Sequence, residues 1–548
     1  MVTVAELIKS RQGDNNIALY NDDKTWTHQQ MIELYCQRAA YILDERQEGP
    51  FHIGILLENI SEYPMWLGAC GISGAVLIAL NPTRKGKDLE RDICHTNCQF
   101  LISEEKFRDD LQELNLEVSL DRILFVGSNY YQQILEPYYG SDFPIVNIQG
   151  EDTFCMMFTS GTTGAPKACI CSQGRYGAAG SRVALSNNLN LNDITYVAMP
   201  LYHGNSVIIG YLPTLVTGGS MVLRQKFSAS AFLPDIRKFG ATFFNYVGKP
   251  LAYILATPEL KTDSTNTLKR VAGNEAAELD LKNFAKRFNC ITNDNYGSSE
   301  GCVAVMRTKE MPAGSLGRGV TDSIKVLDSE TEKEKPCAVF DDDGRLLNVD
   351  EAIGELVNTD GSKLFEGYWN NDEANANRIK NGIYWSGDLA YRDSDGFLYF
   401  AGRDDEWMRV DGENIAAAQV EAVLFRHPDV VLAAVYAVPD PIVGDQVMAA
   451  IQLRPGVEFS GANFVEFIQT QRDFGSKWMP TLVRVSDNLP VTHTVKVLKR
   501  VLRGERWQCE EPVWQWHAGN YKIMNETDKK DLISLFRKRG RAGVLDLI

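Results

Sequence analysis

At 548 residues, with 44% hydrophobic and 23% charged residues, the chain is too long for one ordinary core and too apolar to be disordered or fibrous. A formal net charge of -16 argues against nucleic acid as the main partner, because an acidic surface repels a phosphate backbone unless a basic patch is segregated. Its 11 cysteines form no paired, evenly spaced clusters, and "MVTVAELIKSRQGDNN" lacks the charged-then-apolar pattern of a secretory signal, which predicts a reducing, cytoplasmic setting.

From about residue 50 to 300, short apolar strands such as "HIGILL", "AVLIAL", "QFLIS", "RILFV", "TYVAM" and "GSMVL" alternate with helical patterns such as "DLERDICHTN" and "SAFLPDIRKFG". That alternation predicts parallel sheets covered by helices. The most apolar run, "MWLGACGISGAVLIALNP" at 65–82, is broken by Gly68, Gly71, Ser73 and Gly74 and reads as a buried helix feeding a buried strand, not a membrane span. Cys94, His95 and Cys98 in "ICHTNCQF" lack a second ligand pair at a zinc-like spacing and read as structural.

After about residue 310 the turn-rich segments "TDSIKVLDSETEKEKP" and "FDDDGRLLNVDEAIGELVNTDG" predict an antiparallel β module. "GRDDEWMRVDGENIAAAQVEAVLFRHPDV" then opens a new unit, with Val420, Val423 and Leu424 on one face of an amphipathic helix and a hinge near Arg403 to Asp405. The tail "NETDKKDLISLFRKRGRAGVLDLI" reads as a capped helix with a basic end at Arg537, Lys538, Arg539 and Arg541, which leaves peripheral membrane association open. The expected fold class is multidomain, α/β and α+β: a large N-terminal domain of parallel sheets with flanking helices plus a β subdomain (1–402), a small mobile C-terminal α+β domain (403–510) and a helical tail (511–548).

"FTSGTTGAPK" at 158–167 combines glycines, small hydroxyl side chains and Lys167, a composition that lets backbone N–H groups, hydroxyls and one cation converge on a phosphate. It is not a Walker loop: Gly161 and Gly164 are three apart and Lys167 follows Ala165-Pro166. Further along stand "MPLYHG" (199–204), "AGNEA" (272–276), "NYGSSEG" (295–301), "YWSGDLA" (384–390), "GRDDEWMRVDGEN" (402–414) and "LPVTHTVKVLKR" (489–500). In order and spacing this series resembles the adenylate-forming superfamily of acyl-CoA synthetases, adenylation domains and luciferases over essentially the whole chain. "VLRQKFSASAFLPDIRKFGATFFNYVGKPLAYILATP" and "FAGRDDEWMRVDGENIAAAQVE" further resemble the fatty acid transport protein and very-long-chain acyl-CoA synthetase branch.

The resemblance implies an ATP-dependent, AMP-forming fatty acid:CoA ligase using Mg2+, with coenzyme A as co-substrate. Long or very long fatty acids are the expected substrates. A branched, aromatic or sterol-derived acid is the alternative, and a fatty-acid uptake or binding protein with little catalysis is the non-enzymatic one. A homodimer is left open.

By the same resemblance Thr159, Ser160, Gly161, Thr162, Thr163, Gly164 and Lys167 hold the β- and γ-phosphates, and Thr162 and Glu300 serve the metal. Ser299, standing where the family more often has threonine, keeps the hydroxyl that reaches the α-phosphate, and Gly297 and Ser298 beside it belong to the nucleotide-binding set. Gly273, Asn274, Glu275 and Tyr296 frame the adenine, and Asp388 with Arg403 takes the ribose. His203 seats the carboxylate at the acyl-pocket entrance, and Lys496, preceded by Val495 instead of the commoner glycine, is the catalytic lysine. Asp405 is the pivot that would bring Gly412 towards the pantetheine arm after adenylation. Lys499 and Arg500 leave a basic solvated face as the competing reading around Lys496, and "FEGYWN" at 365–370 is a family marker without assigned chemistry.

Overall fold

The computed structural model describes residues 2–159, 167–307, 310–312, 314–342, 346–403, 407–410, 413–442, 444–471, 474–475, 477–491, 497–517 and 519–545. Two sheets organise its first half. The six-stranded one runs in the order Ile123–Val126, Phe100–Glu104, His52–Leu56, Val76–Ala79, Thr153–Thr159, Lys167–Ser172, parallel except for the last pair. The seven-stranded one runs Ile291–Asp294, Arg270–Asn274, Phe243–Val247, Ile194–Val197, Ser220–Leu223, Ile17–Asn21, Lys24–Thr27, again antiparallel only at its last pair.

One buried cluster joins side chains of both sheets (Ile53, Phe100 and Cys155; Leu19, Val197 and Met221) to helices His28–Asp44, Glu62–Ser73 and Gln173–Ser186. The inner parallel strands, such as His52–Leu56, Val76–Ala79 and Phe243–Val247, are buried on both faces, so they read as largely apolar runs. The run at 65–82 splits as predicted: helix Glu62–Ser73 ends at Gly74, whose φ of 75° is the left-handed stop that glycine permits, and strand Val76–Ala79 follows. Gly68 is required by packing, since a Cβ there would lie 2.6 Å from the Tyr35 ring. Among the described residues no helix is long and apolar enough to cross a membrane. His95 contacts the Trp369 carbonyl through Nε2 at 2.9 Å, and Cys98 is buried in the second core of that sheet.

The β module is the antiparallel set Ile324–Leu327, Gly354–Asn358, Ile383–Arg392, Ile379–Lys380 and Leu398–Arg403. After residues 404–406, hairpin Trp407–Val410/Glu413–Ala416 leads into helix Ala417–Leu424, which buries Val420, Val423 and Leu424. A five-stranded sheet follows in the order Val430–Pro439, Asp445–Leu453, Leu482–Val485, Val513–His517, Asn520–Ile523.

The stretch 511–548 is therefore not a purely helical tail, which corrects the sequence reading. "VWQWH" is rich in β-branched and aromatic residues and pairs with Leu482–Val485. Helix Glu526–Lys538, capped by Asn525, then buries Phe536 fully and stacks it on Trp507 at 5.8 Å with planes 19° apart. Arg541 folds back on the same unit, donating to the carbonyls of Asp440 and Gly444.

Phe536→Ala should cost about 3–5 kcal/mol, the usual penalty for emptying an aromatic core position. Hydrogen exchange should show it as lost amide protection in Val513–His517 and Leu482–Val485; unchanged protection there would make the final helix a mere appendage.

Candidate active site

A cleft of about 3280 Å³ opens where the sheets, the β module and the C-terminal unit meet. On one wall, hairpin Thr153–Thr159/Lys167–Ser172 brings Thr159 directly opposite Lys167 at its tip, and both line the cleft. The turn between them carries Ser160, Gly161, Thr162, Thr163 and Gly164, which lie outside the described residues. Burial, reinforced by the positive charge of Arg378, holds the Lys167 ammonium below lysine's ordinary value, with Glu300 opposing.

The opposite wall is built by the C-terminal ends of strands Phe243–Val247, Arg270–Asn274 and Ile291–Asp294, where open parallel sheets place their ligands. Gly273 permits this close strand contact: a Cβ would fall 2.2 Å from the Tyr246 carbonyl oxygen. Asn205 donates to the Asn274 side chain at 2.9 Å, and Asn274 in turn donates to the Asn295 carbonyl. Glu275 has φ of 68°, unusual for a residue with a side chain. The Ala276 N–H just beyond it donates to Asp294 Oδ2 at 2.9 Å, which also accepts from Tyr246 Oη at 2.6 Å. Burial pushes the Asp294 carboxyl up to about 6. Asp294 was invisible as a supporting residue in the sequence.

The loop at 295–301 is held from below by a polar network that the sequence reading missed. Arg175 donates to the Ser299 carbonyl at 2.8 Å and pairs with Glu366 at 2.8 Å, while Glu366 accepts from the Ser172 N–H and hydroxyl. Two residues on, Tyr368 donates to Glu300 Oε1 at 2.5 Å and receives Arg378 Nε at 3.2 Å. Glu300 is only 6% exposed, and Lys167 Nζ lies 5.3 Å from the centre of the Tyr368 ring. The marker "FEGYWN" thus has chemistry after all. Its polar residues bind the end of hairpin Thr153–Thr159/Lys167–Ser172 to the loop bearing Ser299 and Glu300.

Tyr296 donates to Asp388 Oδ2 at 2.5 Å, and Asp388 stands across the ladder from Arg403. Gly297, Ser298, Ser299 and His203 also line the cleft, His203 beside the Tyr202 ring at 4.5 Å. An apolar stretch of wall comprises Ala178, Ala179 and Val183 of helix Gln173–Ser186, with Ile208 and Ile209 from the π-helical turn Ser206–Tyr211 and Ala272. Lys496, Gly412 and Asp405 lie outside the described residues. Val491 and Val497, on either side of 492–496, pair with each other and line the cleft. Lys499 is no solvated charge: it pairs with Glu421 at 2.9 Å, the two side chains 15% and 17% exposed.

The AMP-binding enzyme family matches residues 8–369, and the AMP-binding enzyme C-terminal domain matches residues 419–496. The chain is 43% identical over 547 residues to the steroid-22-oyl-CoA synthetase of Rhodococcus jostii (strain RHA1), covering 98% of each. It is 44% identical over 465 residues to a medium/long-chain-fatty-acid–CoA ligase of Mycobacterium marinum, covering 85% of this chain and 88% of that one. The solved structure of an anthranilate CoA ligase in complex with anthranoyl-AMP shares the fold with a TM-score of 0.78 at 21% identity, over 91% of this chain and 96% of that one.

Tyr368→Phe removes a hydrogen bond to a buried carboxylate, a loss of about 1.5–3 kcal/mol. Urea unfolding of the N-terminal unit should show it as a lowered midpoint with an unchanged slope. An unchanged midpoint would mean that Glu300 is held without Tyr368.

Proposed function

We propose, for a chain that belongs to the AMP-binding enzyme family and is an AMP-forming acyl-CoA synthetase, that its acid is large and apolar and that the cleft residues divide two steps between them. The observation that carries this reading is the continuity of one cleft: Lys167, Glu300 and Asp388 share it with the apolar wall of Ala178, Ala179, Val183, Ile208, Ile209 and Ala272. A carboxylate with a bulky hydrocarbon body fits both halves. A fatty acid of long or very long chain is the first reading. A sterol-derived acid is the second, favoured by the small side chains of Ala178 and Ala179 on the wall and by the steroid-22-oyl-CoA synthetase matched over 98% of both chains.

A free carboxylate is a poor electrophile. In the proposed first step its oxygen attacks the α-phosphorus of ATP and pyrophosphate leaves; in the second the coenzyme A thiol attacks the acyl-adenylate and AMP leaves. The protein's share is positioning and charge stabilisation. Thr159, Ser160, Gly161, Thr162, Thr163, Gly164 and Lys167 would hold the departing phosphates, and Ser299 the α-phosphate. Tyr296 and the Gly273-Asn274-Glu275 segment would frame the adenine beside Gly297 and Ser298, Asp388 and Arg403 would take the ribose, and His203 would seat the carboxylate. Lys496 would bridge the α-phosphate and the attacking oxygen as negative charge builds.

A divalent magnesium ion suits the donor set, since Glu300 offers a buried carboxylate at the cleft whose orientation Tyr368 sets. With Thr162 it would hold the ion, which when bound neutralises phosphate charge. After adenylation a rotation about Asp405 would withdraw Lys496 and bring Gly412 to the pantetheine arm. A cytoplasmic setting is supported by the free cysteines, Cys36 and Cys509 among them. The exposed cations Arg537, Lys538 and Arg539 support a weak contact with anionic lipid.

CoA-dependent AMP formation across short to very long fatty acids and sterol side-chain acids tests the reading. Turnover confined to long fatty acids supports the first substrate class, and turnover on the sterol acids supports the second. Turnover on neither class sinks the proposal of a large apolar acid. Lys496→Ala should slow adenylation by about 10²–10³-fold, the scale for removing one donor to developing negative charge. Asp405→Pro should leave ATP–pyrophosphate exchange intact while thioester formation is lost; equal loss of both steps would dismiss Asp405 as a pivot.

A further inference from the structure

Helix Pro250–Leu255 of the N-terminal unit packs on strand Val430–Pro439 of the C-terminal one. Lys249, which begins that helix, places its ammonium 3.5 Å from the centre of the Phe425 ring, at the end of helix Ala417–Leu424. One turn further on, Tyr253 packs against the C-terminal cluster of Leu432, Ala434 and Tyr436, to which Val491 and Val497 also belong. Two side chains on one face of one short helix therefore reach across the boundary. One touches the residue that ends the helix after the hairpin, and the other packs on the same buried cluster as Val491 and Val497.

The receiving surface is fixed in place. Glu421, one turn before Phe425, pairs with Lys499 at 2.9 Å and accepts the Val435 N–H at 2.7 Å. Helix Ala417–Leu424 is thus tied to the strand and to the segment that follows Lys496. Ala418, Glu421, Ala422 and Phe425, spaced as one helical face, all line the cleft. Burial draws the Lys249 ammonium below lysine's ordinary value, and the carboxylates of Asp280, Glu421, Glu275 and Asp294 oppose that. A desolvated cation over an aromatic face is among the stronger forms of this contact. Lys249 cannot keep Phe425 if the C-terminal unit turns away.

Resting on the two-step reading above, we infer that Lys249 and Phe425 form a latch that holds the C-terminal unit in the orientation where Val491, Val497 and Lys499 line the cleft, making Lys249 a positioning residue for adenylation alone. The latch is broken in the second step. Its loss therefore slows the first half-reaction and spares the second.

The test measures the half-reactions separately, using the full chain. ATP–pyrophosphate exchange with the best acid reports adenylation, and CoA-dependent AMP release from supplied acyl-adenylate reports thioester formation. Lys249→Met should lower kcat for exchange by about tenfold, with KM for ATP within about twofold and thioester formation unchanged. Lys249→Arg keeps a cation over the ring and should restore most of the exchange. Phe425→Leu, on the other unit, should reproduce the Lys249→Met pattern, and the double variant should be no slower than either single one. Unchanged exchange in both single variants overturns the latch, and so does a parallel fall of both half-reactions or an effect confined to KM for ATP. Absence of exchange in the unaltered protein on every acid would instead overturn the ligase reading itself.

Discussion

The buried carboxylate of Glu300 is the constraint around which the cleft is organised. At 6% exposure a carboxylate must have partners, and the fold supplies Tyr368, itself braced by Arg378. Glu366, two residues earlier, meets Arg175, and Arg175 reaches the backbone at Ser299. Three segments distant in the chain are locked into one frame: the end of hairpin Thr153–Thr159/Lys167–Ser172 with Arg175 just beyond it, the loop at 295–301 and residues 366–378 within the β module. The cost of burying these charges is offset only because every link is a charge-assisted or charge-adjacent hydrogen bond.

The same frame explains why the backbone is unusual where it is. Gly273 lets two strands approach within a distance no side chain tolerates, and Glu275 takes a left-handed turn fastened by Asp294 through the next N–H. Local strain of this kind persists when its surroundings over-determine it, and it clusters where ligands are gripped. The C-terminal unit has its own sheet and cores and meets the N-terminal one at helix Pro250–Leu255.

Much of the architecture is legible in the chain. Alternating apolar strands and amphipathic helices specify parallel sheets, since one period fits a strand and another a helix, and the antiparallel texture after residue 310 is equally visible. Clustered small and polar residues around Lys167, Ser299 and Asp388 are likewise readable as a candidate nucleotide site, and the structure brings Lys167, Ser299 and Asp388 themselves to one cleft. The reading fails at "VWQWH", where the pull of a capped helix downstream hid two strands, and at Glu366 and Tyr368, which look like ordinary loop residues in isolation.

By itself the sequence determined which elements form and which reactive groups are available, because hydrophobic period and local turn chemistry act over a few residues. Tertiary structure alone decided who satisfies whom. Tyr368 holds Glu300 across 68 positions, Arg175 holds Ser299 across 124, and Lys249 meets Phe425 across a domain boundary. The partner of a buried charge is set by which distant segments desolvate it together, and no local pattern records that.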